Sequence, residues 1–450
     1  MLRRIVILMG SMTALALWLA SGHSARAETA AALSASDAGD DRYAIHGQIT
    51  YVEQETGSFN APYHGPNSLT PDQGRETVDA TLYLGARLWS GAEAWANVEM
   101  DQGFGLSNTL GVAGFPSGED YKVGRDQPYF RLARLFVRHT FDFGGDTDHV
   151  EAAANQFAAA HTADRVVVTI GKVSVTDIFD TNQYAHDPRV DFLNWSVIDT
   201  GSFDYAADAW GYTVGAAVEW YRGDWTFRGG AFDLSDVPNS THLEPGFHEF
   251  QLDAEIERRY QIAGHHGRAL LTGFYSRGYM ALLNDALAYA KETGGPVDLA
   301  AVRQYRSRSG IGISAEQELT DDFGAFARAG TGDGDTEAYE FTDIDRTIAA
   351  GLSLQGTRWK RPLDVVGLAA VVNNISATRQ RFLDAGGLGI LVGDGQLPHP
   401  GAERIVETYY KSAVLDRINV TFDYQHIINP AYNRDRGPVP VYAIRIHMYF

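Results

Sequence analysis

The last ten residues, VYAIRIHMYF, alternate without a break. Tyr442, Ile444, Ile446, Met448 and Phe450 fall on one side, and Val441, Ala443, Arg445, His447 and Tyr449 on the other. A period of two means a β-strand with two unlike faces. The same pattern returns along the chain. In TVDATLYLGARL, Val78, Ala80, Leu82, Leu84, Ala86 and Leu88 oppose Thr77, Asp79, Thr81, Tyr83 and Arg87. In EFQLDAEIE, Phe250, Leu252, Ala254 and Ile256 oppose Glu249, Gln251, Asp253, Glu255 and Glu257. In DRINVTFDYQ, Ile418, Val420, Phe422 and Tyr424 oppose Arg417, Asn419, Thr421, Asp423 and Gln425. A slip of one residue would move each charged row into an apolar layer, so register is strongly fixed.

About sixteen such segments are expected. They start near Tyr43, Thr77, Ala92, Pro128, Arg165, Ala209, Trp225, Glu249, Arg268, Arg303, Phe323, Arg346, Asp364, Arg404, Leu415 and Val441. The weakest patterns are those near Arg303 and Arg404. Links alternate in length: the odd-numbered ones are long, and most of the even-numbered ones are tight, as at Ser90-Gly91 and Arg222-Gly223-Asp224. The exception is 144–163, an Ala-rich piece read as holding a short helix. An even number of antiparallel strands, with long loops at one rim and short turns at the other, is the pattern of an outer-membrane barrel. Closure leaves no unpaired edge for lipid to meet, and sixteen strands leave room for water inside. The expected fold is therefore an all-β, sixteen-stranded antiparallel transmembrane β-barrel with long extracellular loops and short periplasmic turns. Its apolar row faces lipid and its charged row a wet lumen. Tyr51, Trp220, Tyr221, Trp225, Tyr409, Tyr410, Tyr442 and Phe450, near strand ends, are read as an interfacial girdle. A soluble solenoid or sandwich would explain the alternation but not the long–short rhythm, and no internal repeat is visible.

Composition agrees. Arg3 and Arg4, an apolar run from Ile5 to Ala20 and an A-x-A site at Ala25-Arg26-Ala27 read as a secretory signal over 1–27. A short periplasmic segment, 28–42, then precedes a barrel over 43–450. No larger N-terminal module is expected ahead of the first strand. Without Arg3, Arg4 and Arg26 the basic count falls from 37 to 34 against 57 acidic residues, a net charge of −23. That excludes nucleic acid as a partner. The absence of cysteine excludes disulfides, thiolate metal sites and a cysteine nucleophile. The longest strongly apolar run, VVGLAAVV, is far below the ~20 residues of a spanning helix.

Several stretches resemble the carbohydrate-selective porin family, often called OprB. They are LGVAGFPSGEDYKVG with PYFRLARLFVR, TIGKVSVTDIFDTNQYAHDPRVDFLNW, FDYAADAWGY, GDGQLPHPGAERIVETYY and NPAYNRDRGPV. The resemblance spans nearly the whole mature chain. It implies a sixteen-stranded outer-membrane channel that admits sugars by diffusion. Similar chains assigned to manganese passage keep the substrate class open.

Selectivity in a channel comes from a narrow place lined with donors, acceptors and charge. The longest link, Lys172 to Tyr205, is the expected inward loop. Asp180, Asn182, Gln183, Asp187, Arg189, Asp191 and Trp195 offer polar groups for sugar hydroxyls, and Tyr184 or Trp195 offers a stacking face. These residues would serve equally to pin the loop to the wall. Arg131, Arg134 and Arg138 cluster in one segment, with Arg134 and Arg138 on one face. Pointing inward, opposite an inward row of Glu249, Asp253, Glu255 and Glu257, they would set a field across the pore. On a lipid face each arginine would cost ~2–4 kcal/mol at mid-membrane. Arg445 and His447 are weaker candidates.

No cofactor, metal site or catalytic residue is expected. DGDTE at 333–337 lacks full calcium-loop spacing and reads as an acidic outer loop. His265-His266 reads as an exposed short turn. His248-Glu249 lacks the second histidine of HExxH, and neither G-x-S-x-G nor a phosphate loop is present. The expected partners are sugars or hydrated cations in transit, outer-membrane lipid, and the barrel-assembly machinery through the strand ending at Phe450. The leading reading is an outer-membrane porin for passive diffusion of carbohydrates. A divalent-cation (manganese) porin is the alternative, and a secreted glycan-binding β-protein the third. A homotrimer is left open, since lipid-facing and subunit-facing surfaces are both apolar.

Overall fold

The structure, a computed structural model, describes residues 41–120 and 122–450. The signal reading of 1–27, and all but the last two residues of 28–42, lie outside the described residues. Sixteen strands follow in order. They are Tyr43–Thr56 (β1), Gly74–Trp89 (β2), Ala92–Gly103 (β3), Arg125–Val150 (β4), Ala159–Val173 (β5), Thr213–Arg222 (β6), Trp225–Asp233 (β7) and Phe250–Ile262 (β8). The second half comprises His265–Met280 (β9), Gln304–Thr320 (β10), Phe323–Gly332 (β11), Arg346–Gly356 (β12), Arg361–Asn374 (β13), Glu403–Leu415 (β14), Ile418–Ile428 (β15) and Val439–Tyr449 (β16). Each pairs antiparallel with its neighbours in sequence, and β1 pairs with β16 to close the barrel. At the seam Phe450 N donates to Gly47 O (2.9 Å) and Gly47 N to Phe450 O (3.1 Å). Both weak segments are strands: β10 begins at Gln304 and β14 at Glu403.

The outside is apolar and the inside polar, the reverse of a water-soluble protein. Leu368 is 48% and Phe422 57% exposed on the outer face, while Asp101 and Glu407 on the inner face are fully buried. The outward rows of β2, β8 and β16 are the apolar rows read from the alternation. Long links (57–73, 104–124, 174–212, 234–249, 281–303, 333–345, 375–402 and 429–438) share one rim. The opposite rim has two-residue turns at 90–91, 223–224, 263–264, 321–322 and 416–417, plus 357–360 and 151–158. The histidine pair thus opens β9, just after the Ala263-Gly264 turn.

Outward aromatics mark both rims. Trp220, Trp225 and Phe227 cluster beside the 223–224 turn, whereas Tyr279 with Tyr305 (5.7 Å) and Tyr424 with Tyr442 (5.2 Å) pair near the long loops. Two expected girdle members face inward instead. Tyr221 donates its hydroxyl to Glu219 (2.8 Å), and Tyr409 is buried against Phe192 (4.9 Å). Parity explains both: Tyr221 shares its face with Glu219, and Tyr409 shares its face with Glu403 and Glu407. The expected helix in 144–163 is also absent. β4 and β5 run on as a long hairpin, its bend eased by Gly144 and Gly145 at positive φ, 122° and 92°.

Candidate functional site

The lumen is partly filled by loops from the long-loop rim, chiefly 104–124 and 174–212. An irregular loop must find a partner for each buried N–H and C=O. The wall supplies those partners from the inward rows that the alternation defines. Glu403 of β14 accepts from Ala113 N (3.0 Å) and Gly114 N (2.8 Å), and Glu407 from Leu193 N (2.5 Å) and Asn194 N (3.2 Å). Glu255 of β8 accepts from Asp180 N (2.8 Å), and Glu316 of β10 from Gln183 N (2.8 Å). Arg328 of β11 donates to Ala185 O (2.8 Å) and Val197 O (2.6 Å), and Arg445 of β16 to Asp191 O (2.8 Å). The loops add a small apolar core, in which Phe115 stacks on Trp195 (5.2 Å, 15°).

These loops anchor mainly on the wall from β8 to β16 and leave open space along β2 to β6. Its largest chamber is about 500 Å³. Tyr83, Arg134, Phe136, Arg138, Thr169 and Glu219 line it from the wall, and Asp177, Asp187, Arg189, Trp195 and Tyr212 from the loops. A smaller chamber of about 110 Å³, bounded by Glu99, Lys122, Arg131 and Phe341, shares Gly118, Glu119, Arg189, Trp195 and Tyr212 with the first. That shared wall is the candidate constriction.

Arginines cross it in a file. The β3–β4 register slips by one residue at Ala133, between the pairs Asn97–Arg134 and Val98–Leu132. This bulge turns Arg131 inward as well as Arg134 and Arg138. Arg131 meets Glu99 and Asp101 (2.6 Å to Asp101), Arg134 is bidentate to Asp177 (2.6 and 2.7 Å), and Arg138 meets Glu93 (2.6 Å). Arg131 and Arg134 lie 4.7 and 5.0 Å from the Tyr212 ring centroid, within cation–π reach. From the loops, Arg189 approaches Asp79 (3.4 Å), Glu119 (3.5 Å) and Glu99 (3.7 Å). Arg189 Nε and Arg131 Nη1 are buried with no hydrogen-bond partner.

Loop groups at this place titrate unusually. Burial pushes the Glu119 and Asp120 carboxyls well up, in the first case against the pull of Arg189. Burial, with Asp180 nearby, raises Asp199 to about 8, and burial lowers Lys122 to about 8. Burial would also raise Asp187, but Arg189 beside it, with the Arg189 backbone N–H, holds it below the usual range.

Of the residues singled out by sequence, Arg134, Arg138, Asp187, Arg189 and Trp195 line the large chamber. Most of the others pin loops to the wall or to one another. Asp180 takes Thr200 N (2.5 Å) and Oγ1 (2.8 Å), and Asn182 takes Tyr184 N (3.0 Å). Asp191 takes Asp187 N (3.3 Å). Glu249 accepts from the Tyr339 hydroxyl, Glu255 pairs with Arg228 (2.6 Å), and Asp253 is buried with neither oxygen hydrogen-bonded. The acidic row of β8 is therefore covered by loop, and the arginines find their counter-charges on nearer elements. Glu99, Asp101, Glu119, Lys122, Trp210 and Tyr212 were not singled out. The β3 carboxylates carried a legible signal, alternation with Val98 and Met100 in WANVEMDQG. The loop residues carried none beyond lying in the stretches that bear the family resemblance.

A closed, even-stranded barrel that is apolar outside and polar inside, with loops packed into its lumen, is a porin-type channel. Residues 67–450 match the family model described as carbohydrate-selective porin, OprB family, and the chain belongs to that family. Among solved structures it is similar to the high-pH structure of Pseudomonas putida OprB, with TM-score 0.68, 17% identity and coverage of 91% of this chain and 94% of that one. The outer membrane channel DcaP of Acinetobacter baumannii aligns at TM-score 0.49 and 11% identity, over 91% and 97% of the two chains. No curated protein sequence matches. Family and fold are those of channel proteins rather than enzymes.

Proposed function

We propose that the protein is an outer-membrane porin through which small sugars diffuse passively along the β2–β6 passage. One observation carries this reading. The candidate constriction combines the guanidinium groups of Arg131 and Arg189, the carboxylates of Glu99 and Glu119 and the aromatic faces of Trp195 and Tyr212. A pyranose presents hydroxyls at its edge, which both donate and accept, and C–H groups on its face. Charged groups held in pairs suit a neutral polyol, because neither sign is left to trap an ion. Membership of the carbohydrate-selective family supports the same class of solute.

In this reading the long loops face outward and the short turns face the periplasm. Residues 1–27 are a cleaved secretory signal, and the strand ending at Phe450 engages the assembly machinery. Manganese passage fits less well, because the carboxylates at the constriction are already engaged by arginines. Among the described residues the one group with cation-ligand spacing, His265, Glu318 and Asp321, belongs to the short-turn rim. A planar-bilayer recording in KCl tests the proposal. Steady current blocked in a saturable way by added mono- or oligosaccharide supports it. Conductance indifferent to every sugar but reduced by Mn²⁺ would overturn it.

A further inference from the structure

The short-turn rim has one irregular member. Six of its links are turns of two to four residues, whereas β4 and β5 extend into a hairpin whose tip, 151–158, folds back over the mouth of the barrel. The bend is built. Pairing shifts register between Asp142, Gly144 and Thr147, and Asp142 accepts from Thr162 N (2.7 Å) and Oγ1 (3.2 Å). The tip is then fastened to the inner wall. Phe157, 5% exposed, packs on Trp95 (5.1 Å) beneath the Arg87 guanidinium (4.6 Å). Arg87 Nη2 donates to Ala158 O (2.7 Å), Arg138 Nη2 to Asn155 O (2.6 Å), and Phe157 N to Glu93 Oε2 (3.4 Å). Glu93 thereby joins the tip to Arg138, which also lines the large chamber.

Ala154, Asn155 and Gln156 border that chamber. Gln156 also borders a second space of about 140 Å³ on the mouth side, which shares Arg138, Gln156 and Glu219 with the first and adds Arg165 and Tyr221. The tip thus stands between two adjoining spaces, at the far end of the large chamber from Glu119 and Arg189. We infer that the 151–158 tip is a second constriction at the short-turn mouth, and that it limits the size of solute able to leave the passage. The inference rests on the channel reading above, but it concerns a different residue set and a different quantity, steric access. Arg138 is then a positioning residue for the tip as well as a chamber wall.

The experiment uses the full protein in a planar bilayer without sugar. The chain has no cysteine, so Gln156→Cys introduces a single thiol. Modification with an anionic methanethiosulfonate reagent added from the short-turn side should cut KCl conductance at least twofold. The same treatment of Asp146→Cys, on the exposed outer part of the hairpin, should change little. Phe157→Ala, which frees the tip, should raise conductance and enlarge the smallest neutral polyethylene glycol that is excluded. Full modification of Gln156→Cys, confirmed by mass, with unchanged current would overturn the inference, as would a Phe157→Ala channel with unaltered polymer exclusion. Loss of sugar block alone would touch the substrate proposal and leave this one standing.

Discussion

Arg189 on one inward loop stands 3.5 Å from Glu119 on the other, and the same guanidinium lies 3.4 Å from Asp79 of the barrel wall. Two loops and the wall thus meet at one side chain that lines both chambers. A hydrogen bond to a charged group is worth ~1.5–3 kcal/mol. Arg189→Ala should therefore weaken sugar block of the current by roughly 10- to 100-fold while raising conductance. Arg189→Lys should recover little of the affinity, because an ammonium cannot reproduce the planar fork. Titration of single-channel block by sugar reads both effects.

Glu407 holds loop 174–212 by two backbone N–H groups. Glu407→Ala leaves both donors buried and unpaired, at about 1–3 kcal/mol each. The expected result is a barrel of normal heat stability whose recordings show larger, noisier conductance substates and whose loop is cut faster by protease. Unchanged current traces would mean that the remaining anchors suffice.

Ion selectivity should depend on pH. Lys122 and Asp199 line the two chambers, and each titrates near 8. As pH rises from 7 to 9 the ammonium loses its positive charge and the carboxyl gains a negative one. Both changes favour cations, so the reversal potential in a KCl gradient should move toward cation selectivity. Asp199→Asn should remove its share of the shift. For stability the Asp199 sign is opposite to that of an ion-paired carboxylate. Its folded-state pKa is raised, so its contribution falls as pH climbs from about 4 toward 8.

On the outer face the expectation is energetic. Leu368 sits in the middle of β13, and Leu368→Arg should cost ~2–4 kcal/mol. Equilibrium refolding into lipid vesicles with urea measures this directly. A cost near zero would mean that this strand does not face hydrocarbon.

The barrel was legible because its signal is local. Each strand needs only its own alternation, and lipid on one side with water on the other keeps that alternation strict from Val78 to Phe422. Where a strand breaks rhythm, the reading slipped. The Ala-rich stretch after Asp142 looked helical because small residues carry no face, and backbone pairing across the bend made it a hairpin. Arg131 was assigned no inward role because parity counts residues and cannot see a bulge. In the inward loop, composition marked a polar segment but could not divide its residues. Asp180 and Arg189 are equally charged in sequence. Only the chain path shows that one is spent on Thr200 and Arg328, while the other lines the chamber.

The extra residue at Ala133 has an implication for how this chain tolerates change. Deleting it would restore an unbroken ladder, an apparent improvement to β4. It would also keep both faces as they are, with Arg131 and Arg134 inward and Leu132 and Leu135 outward, because the extra residue is the one that interrupts the alternation. A single-codon loss elsewhere in β4 would throw part of the strand out of phase, whereas a loss at the bulge is the one the wall absorbs.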